Sequence, residues 1–251
     1  MSPTATSTRI VLERRFNGPP ETANGGYACG VVARHVDGPA TVSLRRPVPL
    51  GTPLELERHD DGHVTLHDGA TLIAEADPEL PLDFEPPYRP SVEEAREAAG
   101  FALRANTRKG TWPPGPVFPE TFDSCYVCAR ARADGLGVVF GPLPSDPALT
   151  GAVLHAGPDV PQRDGAVAPE IAWAALDCPS YTPPLWGHGV PSLLARMRAE
   201  LLEPVPAGEP LTVVGWSLAT DGRKHRSATA ILAADGHMLA RAEALWIRLR
   251  G

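Results

Sequence analysis

Residues 47–54 read PVPLGTPL, and residues 204–211 read PVPAGEPL. The two segments share the pattern Pro-Val-Pro-x-Gly-x-Pro-Leu and lie in opposite halves of a 251-residue chain. Each copy follows one strand-like run and precedes another, at residues 40–46 and 54–57 in the first half and at residues 197–203 and 211–216 in the second. The chain is therefore predicted to contain one structural unit twice.

The regions around the two segments also repeat. Asp68-Gly69 and Asp235-Gly236 each precede a strand-like run, which is typical of a hairpin turn. The distance from the octapeptide to this turn is longer in the second half, so longer middle strands are predicted there, over residues 213–219 and 225–233. Each unit thus ends in three or four antiparallel strands.

A stretch of small apolar residues precedes each group of strands, at residues 25–35 and 169–178, and each predicts a helix. Pro169 suits a first helical turn, and Glu170 complements the positive end of the helix dipole. Pro179 lacks the N–H that would continue the helix. A strand, a helix and several antiparallel strands, used twice, predict an α+β fold rather than a βαβ crossover.

Proline-rich sequence separates the two units. Within it, Ser91 and Glu94 have the spacing of a capping box, which predicts a short helix over residues 95–103 that covers a sheet edge. We therefore predict a first repeat at 1–80, a linker with a short helix at 81–119 and a second repeat at 120–251.

Composition excludes several classes of protein. The formal net charge is −7 and no basic run occurs, so nucleic acid is not expected as a partner. No apolar stretch reaches the roughly 18 residues that span a bilayer, and the N-terminal residues lack the apolar core of a signal peptide. We predict a cytoplasmic protein without membrane contact, whose four cysteines are reduced thiols.

A helix against a curved antiparallel sheet, present twice, resembles the double hotdog architecture of the acyl-CoA thioesterase superfamily. Relatives of the phenylacetyl-CoA and 4-hydroxybenzoyl-CoA thioesterases open this helix with His/Asn-Gly-Gly and carry a carboxylate about two turns later. Asn24-Gly25-Gly26-Tyr27 resembles the first feature, and Ala175-Leu176-Asp177 resembles the second. The resemblance implies a tandem (double) hotdog, in which each half is a curved antiparallel sheet wrapped around one central helix.

Neither half carries both features. Ala33 stands where the first half would need an acid, and Ala168 stands where the second half would need the asparagine. In the family's dimers the helix N-terminus comes from one subunit and the carboxylate from the other. The resemblance therefore implies one complete site, residues 24–26 facing Asp177, and one degenerate site, Ala168 facing Ala33.

Thioester hydrolysis needs a polarised carbonyl and either an activated water or a carboxylate nucleophile. The backbone N–H groups of Gly25 and Gly26 are predicted to bind the developing oxyanion. Asp177, in an apolar helix, is the predicted general base or nucleophile, and Asn24 orients the water or caps the helix. The alternative is structural: an Asn-Gly-Gly helix cap and an aspartate that ends a helix.

Six further residues are predicted to contact substrate: Tyr27, Glu170, Trp173, Tyr181, Trp186 and His188. The last three belong to a loop that mixes aromatic residues with Pro and Gly and could line an acyl pocket or act as a lid. Core packing, a helix-dipole role for Glu170 and an exposed histidine are the simpler alternatives.

Cys125 and Cys128 form a single Cys-x2-Cys pair, whereas a tetrahedral zinc site needs two further ligands. His155 and His188 lack a supporting spacing. We therefore predict no metal and no cofactor, and interpret the pair as packing residues or a knuckle-like turn.

These observations favour an acyl-thioester hydrolase that acts on an acyl-CoA or a carrier-bound acyl group, with a homodimer of the fused chain as a possible assembly. The alternative is a non-catalytic hotdog protein that binds an acyl group or another small ligand. A hotdog-type hydratase ranks third, because it would need an Asp and a His close together and Asp164 has no histidine in the segment that follows.

Overall fold

The computed structural model of the chain describes residues 6–105, 124–129, 132–186 and 192–250. The first part contains, in order, β1 (Thr6–Val11), α1 (Gly25–Ala33), β2 (Ala40–Leu44), β3 (Pro53–Arg58), β4 (Val64–Asp68) and β5 (Thr71–Pro78). The helix α2 (Val92–Ala105) follows. The second part contains β6 (Phe140–Pro142), β7 (Thr150–Leu154), β8 (Gln162–Arg163), β9 (Ala166–Val167), α3 (Pro169–Asp177), β10 (Ser192–Leu201), β11 (Leu211–Asp221), β12 (Lys224–Leu232) and β13 (Met238–Arg248).

One antiparallel sheet runs through both parts of the chain, in the order β1-β3-β4-β5-β2-β10-β13-β12-β11-β7-β6. The two parts meet where β2 pairs with β10. Outward from this junction, the order is β2-β5-β4-β3-β1 on one side and β10-β13-β12-β11-β7 on the other. The strand connectivity therefore repeats, and the middle strands of the second part, β11 and β12, are the longer ones, as the sequence predicts.

The two octapeptides occupy equivalent places in this repeat. The carbonyl of Val48 accepts a hydrogen bond of 2.9 Å from the N–H of Ala23, just before α1. The carbonyl of Val205 accepts one of 2.8 Å from the N–H of Val167, just before α3. The glycines of both octapeptides have a positive φ, +68° at Gly51 and +83° at Gly208. Through this hydrogen bond, each octapeptide connects the start of a helix to the strand that follows the octapeptide.

The boundaries of α1 and α3 agree with the prediction to within two residues. Asn24 caps α1, since its side-chain oxygen accepts a hydrogen bond of 2.9 Å from the N–H of Tyr27. Ala168 occupies the corresponding position before α3 and offers no side-chain cap. After Asp177 the chain continues as a 3-10 turn that contains Pro179.

Glycine allows α1 and α3 to pack closely in antiparallel orientation. A Cβ atom on Gly30 would lie 2.7 Å from the Cα of Glu170, and one on Gly26 would lie 2.5 Å from the Cβ of Asp177. The start of α1 therefore lies against the end of α3. This contact brings the two halves of the predicted site together.

The two faces of the sheet carry different helices. Val213 and Ile231 belong to the larger hydrophobic core, which also contains the buried residues of α1 and α3. Val214 and Ala230, on the opposite face, belong to a second core with Ala98 of α2. Within the described residues no helix is long and apolar enough to cross a bilayer, and all four cysteines are free thiols.

The linker helix α2 begins at a serine cap. The N–H of Glu94 donates a hydrogen bond of 3.1 Å to the Oγ of Ser91. The other half of the capping box is absent, because the Glu94 carboxylate instead accepts hydrogen bonds from the hydroxyls of Tyr88 and Ser145. Glu94 thus holds α2 to the segment between β6 and β7, at the edge of the sheet.

We expect Ser91→Ala to lower the free energy of unfolding by about 1 kcal/mol, because the variant leaves an N–H of the first helical turn without its acceptor. Chemical denaturation of the full chain measures the change, with Ser91→Asn, which retains a capping oxygen, as the matched control. Equal stability of Ser91→Ala and wild type would contradict the cap.

Candidate functional site

The first turn of α1 holds the carboxylate of Asp177, the last residue of α3. Its Oδ2 atom accepts one hydrogen bond of 2.9 Å from the Nδ2 of Asn24 and another of 2.9 Å from the N–H of Gly26. Asn24 thus uses its oxygen to cap α1 and its amide group to position the carboxylate. The structure thus brings Asn24 and Gly26, from the first half of the chain, next to Asp177, from the second half.

Asp177 is 2% exposed, and its Oδ1 atom has no hydrogen-bond partner within the described residues. Burial raises the pKa of this carboxyl group to about 7. The N–H of Gly26 and the amide of Asn24 oppose the shift, and the neighbouring Cys125 adds to it. One carboxylate oxygen is therefore fixed, and the other is unpaired.

The two glycines differ in what their N–H groups do. The N–H of Gly26, predicted to be an oxyanion donor, is bonded to Asp177. The N–H of Gly25 bonds to none of the described residues, as is usual for the first position of a helix. Gly25 lines a cavity, so its N–H is the available donor at this helix start.

A cavity of about 540 Å³ adjoins these groups. Asn24, Gly25 and Asp177 lie in its wall. Most of the remaining wall is apolar, and β10, β13 and the residues after β13 contribute its large side chains: Leu193, Leu194, Trp246, Ile247 and Leu249. The cavity therefore combines one buried carboxylate with an apolar surface, as in a site for a largely apolar ligand.

No protein-family model matches the sequence, and no curated protein matches it. Solved structures match over nearly the whole chain. A candidate thioesterase II from Thermobifida fusca YX has a TM-score of 0.61 at 15% identity, over 97% of this chain and 92% of its own. The acyl-CoA thioesterase II TesB2 from Mycobacterium marinum has a TM-score of 0.56 at 14% identity, over 98% and 93% of the two chains.

A conserved protein with a hotdog fold from Alicyclobacillus acidocaldarius has a TM-score of 0.51 at 11% identity, over 98% of this chain and 94% of its own. The chain has the hotdog fold. At such identities the likeness shows the fold, and the function of this hotdog chain has to be argued from its site.

Five of the six residues predicted to contact substrate lie outside the cavity wall. The ring of Tyr27 stacks on Phe16 with a centroid distance of 4.2 Å, and Trp173 is buried in the core. Glu170 forms ion pairs with Arg34 and Arg163. In these three cases the side chain serves packing or charge pairing.

Tyr181 and Trp186 lie one layer behind the cavity. Tyr181 packs edge-on against Trp246, which does line the cavity, at a centroid distance of 5.1 Å. The Nε1 of Trp186 donates a hydrogen bond of 2.7 Å to the backbone oxygen of Tyr181. The sixth residue, His188, lies outside the described residues.

The apolar wall of the cavity is not predicted by the sequence. Leu193 and Leu249 are 36% and 39% exposed, and both line the cavity. Their positions in the sequence carry no distinguishing signal, because alternation identifies the faces of a strand but not the face that borders a cavity.

Two arginines also line the cavity, directly before the first octapeptide. Arg45 pairs with Glu75, whereas Arg46 is exposed and has no ion-pair partner among the described residues. In the second half of the hotdog chain, Leu202 and Glu203 precede the octapeptide. An arginine pair therefore directly precedes the octapeptide only in the first half of the chain.

Three cysteines meet next to Asp177. The Sγ atoms of Cys125, Cys128 and Cys178 all lie within 4.8 Å of one another. The sequence predicts a pair of Cys125 and Cys128 but not the addition of Cys178, which lies 50 residues after Cys128 and joins the pair only through the position of α3. Cys125 and Cys178 also line the cavity.

Proposed function

We propose that the chain is an acyl-thioester hydrolase with one active site, formed between two hotdog repeats in a double hotdog. The repeats are residues 1–80 and 120–251, joined by the linker at 81–119. The repeated strand order supports this division, as does the packing of α1 against α3. The substrate is an acyl-CoA or a carrier-bound acyl group, a class that the likeness to thioesterases and the apolar cavity both support.

One observation carries the proposal: Asp177 lines the cavity, and its buried Oδ1 atom has no hydrogen-bond partner in the part of the chain that the structure describes. An unpaired polar atom that is buried is costly in free energy and calls for an explanation. A reacting water or a thioester carbon provides one. Gly25 lines the same cavity, and its N–H would bind the carbonyl oxygen as it becomes negative.

Two routes fit this arrangement. In the first, Asp177 takes a proton from water at Oδ1, the water oxygen bonds to the carbonyl carbon, the carbon–sulfur bond breaks and the thiolate receives the proton. In the second, Oδ1 attacks the carbonyl carbon, the thiolate leaves and water hydrolyses the resulting anhydride. In both routes Asn24 holds the carboxylate in position through Oδ2.

The equivalent place in the other half lacks this chemistry. Ala168 replaces the capping asparagine, Pro169 has no N–H, and Ala33 stands where a carboxylate would be needed. We therefore expect one ligand per chain, which isothermal titration with a non-hydrolysable acyl-CoA thioether measures.

Arg46 and Arg45 are placed to bind the phosphates of coenzyme A. We expect Arg46→Ala to raise KM for acyl-CoA several-fold with little change in kcat, because a flexible cation at the cavity mouth contributes to binding and not to the reaction. KM for the matching acyl-pantetheine, which lacks the nucleotide, should not change. Steady-state kinetics with both substrates test this.

Glu203→Ala is the matched control for Arg46→Ala, since Glu203 occupies the same position in the other repeat and pairs there with His237. The control should leave both KM values unchanged. An equal loss of affinity for both substrates in Arg46→Ala would contradict the assignment to the nucleotide.

A binding protein without catalysis is the second candidate. It is favoured by the engagement of the Gly26 N–H with Asp177, which leaves a single backbone donor for an oxyanion. One assay distinguishes the two candidate functions. Purified protein is given short, long and aromatic acyl-CoAs, and free coenzyme A is measured by chromatography. Turnover supports the hydrolase, whereas binding without turnover by any member of the panel supports the second candidate.

A further inference from the structure

The three cysteines next to Asp177 have the geometry of a metal site. The Sγ atoms of Cys125 and Cys178 are 3.9 Å apart, and that of Cys128 lies within 4.8 Å of both. Around a tetrahedral zinc ion with Zn–S bonds of about 2.3 Å, two sulfurs lie about 3.8 Å apart. Small side-chain movements would therefore bring all three sulfurs within bonding distance of one ion.

Hydrogen-bonding groups surround two of the sulfurs. The Sγ atoms of Cys125 and Cys178 are close enough for one thiol to donate to the other. The Nδ2 of Asn24 lies 3.9 Å from the Sγ atoms of both Cys125 and Cys178. Such N–H contacts orient metal-bound sulfurs and tune the metal.

The backbone already holds the Cys-x2-Cys pair in a turn. The N–H of Ala129 donates a hydrogen bond of 3.0 Å to the carbonyl of Cys125. The two residues between the cysteines pair with a second segment: Leu136 donates to Tyr126 at 2.6 Å, and Val138 donates to Val127 at 2.8 Å. The sulfurs are thus positioned before any ion binds, and Cys-x2-Cys is a common spacing in zinc sites.

We propose that Cys125, Cys128 and Cys178 bind a thiophilic divalent cation, Zn²⁺, as three thiolates. Soft sulfur ligands select such an ion over Mg²⁺ or Ca²⁺. Its positive charge offsets the burial of three negative sulfurs, which would otherwise be unfavourable. Because Cys125 and Cys178 line the cavity, water from the cavity supplies the fourth ligand. This site adjoins the proposed hydrolase site and shares the neighbour Asn24 with it, but metal binding does not require hydrolysis.

Metal binding can be measured without any assay of activity. Full-length protein is reduced, stripped with a chelator, incubated with Zn²⁺ and dialysed, and its metal content is determined by mass spectrometry. We expect about one zinc per chain, and with Co²⁺ the visible absorption of a tetrahedral thiolate complex. Zn²⁺ should also raise the Tm of the wild type, as any ligand of the folded state does.

The variants Cys178→Ser and Cys29→Ala form a matched pair, because both change a buried cysteine and only Cys178 belongs to the cluster. We expect Cys178→Ser to bind Zn²⁺ at least 10-fold more weakly and Cys29→Ala to bind it like the wild type. Circular dichroism establishes that both variants fold. If either variant fails to fold, the Co²⁺ spectrum of the wild type still decides.

Wild-type protein that retains no zinc and gives no visible Co²⁺ absorption would overturn the proposal. So would a stable disulfide between Cys125 and Cys178 that persists in reductant, or equal zinc loss in Cys29→Ala and Cys178→Ser. If metal-free protein hydrolyses thioesters, the hydrolase proposal is supported, and the metal site is decided by the zinc and Co²⁺ measurements. If the protein retains zinc but hydrolyses no thioester, the metal-site proposal is supported and the hydrolase proposal is not.

Discussion

An Asp177→Asn variant is expected to lose about 10²- to 10⁴-fold in kcat/KM for acyl-CoA hydrolysis, the range that a positioned acid–base group contributes. The amide is nearly isosteric with the carboxylate, and its oxygen can still accept the hydrogen bonds from Asn24 and Gly26. What is lost is the oxygen that takes a proton or attacks carbon. Release of coenzyme A, followed by chromatography, measures the change.

The control for Asp177→Asn is Asp164→Asn. Asp164 has a φ of +51° in the turn between β8 and β9, a conformation that asparagine tolerates well. This variant should keep wild-type turnover, and a large loss in it would revive the hydratase alternative. Wild-type turnover by Asp177→Asn would contradict the assignment of Asp177.

Label in the Asp177 side chain after a single turnover in ¹⁸O-labelled water would identify the nucleophilic route. If Asp177 is a nucleophile, hydrolysis of the anhydride places label in its side chain in one of the possible cleavage modes, and mass spectrometry of the peptide detects it. If Asp177 is a general base, label appears in the free acid and the peptide stays unlabelled.

A Gly26→Ala variant is expected to lower the free energy of unfolding by about 2 to 3 kcal/mol. The added Cβ would lie 2.5 Å from the Cβ of Asp177, 2.7 Å from the backbone oxygen of Trp173 and 3.1 Å from the Cα of Ala174. Two of these three atoms belong to the backbone of α3, so a side-chain rotation cannot relieve the overlap. The helices have to separate, and separation also breaks the hydrogen bond from Gly26 to Asp177.

Chemical denaturation and the hydrolysis assay should both register this change. Gly157→Ala is the matched control, because a Cβ at Gly157 would meet no atom within 4 Å. The control should be as stable as the wild type, within about 0.5 kcal/mol. A Gly26→Ala variant with wild-type stability would show that the two helices do not pack as closely as described.

Local sequence predicted the repeat and the two central helices, whereas the position of Asn24 opposite Asp177 was implied by the resemblance to the thioesterase superfamily. The octapeptides lie at equivalent turns because their prolines restrict the backbone and their glycine permits a positive φ at the same place in each. Helix boundaries followed from Asn24, Pro169 and Pro179, since capping and the missing proline N–H act over only a few residues.

The rest depended on contacts between distant segments. Cys178 joins Cys125 and Cys128 only because α3 docks against α1, and the N–H of Gly26 reaches Asp177 through the same contact. The apolar wall of the cavity forms where β10 and β13 lie side by side. Periodicity assigns a residue to one face of a strand or helix, but the partner of that face is set by strand register and helix docking, which arise only when the whole chain packs.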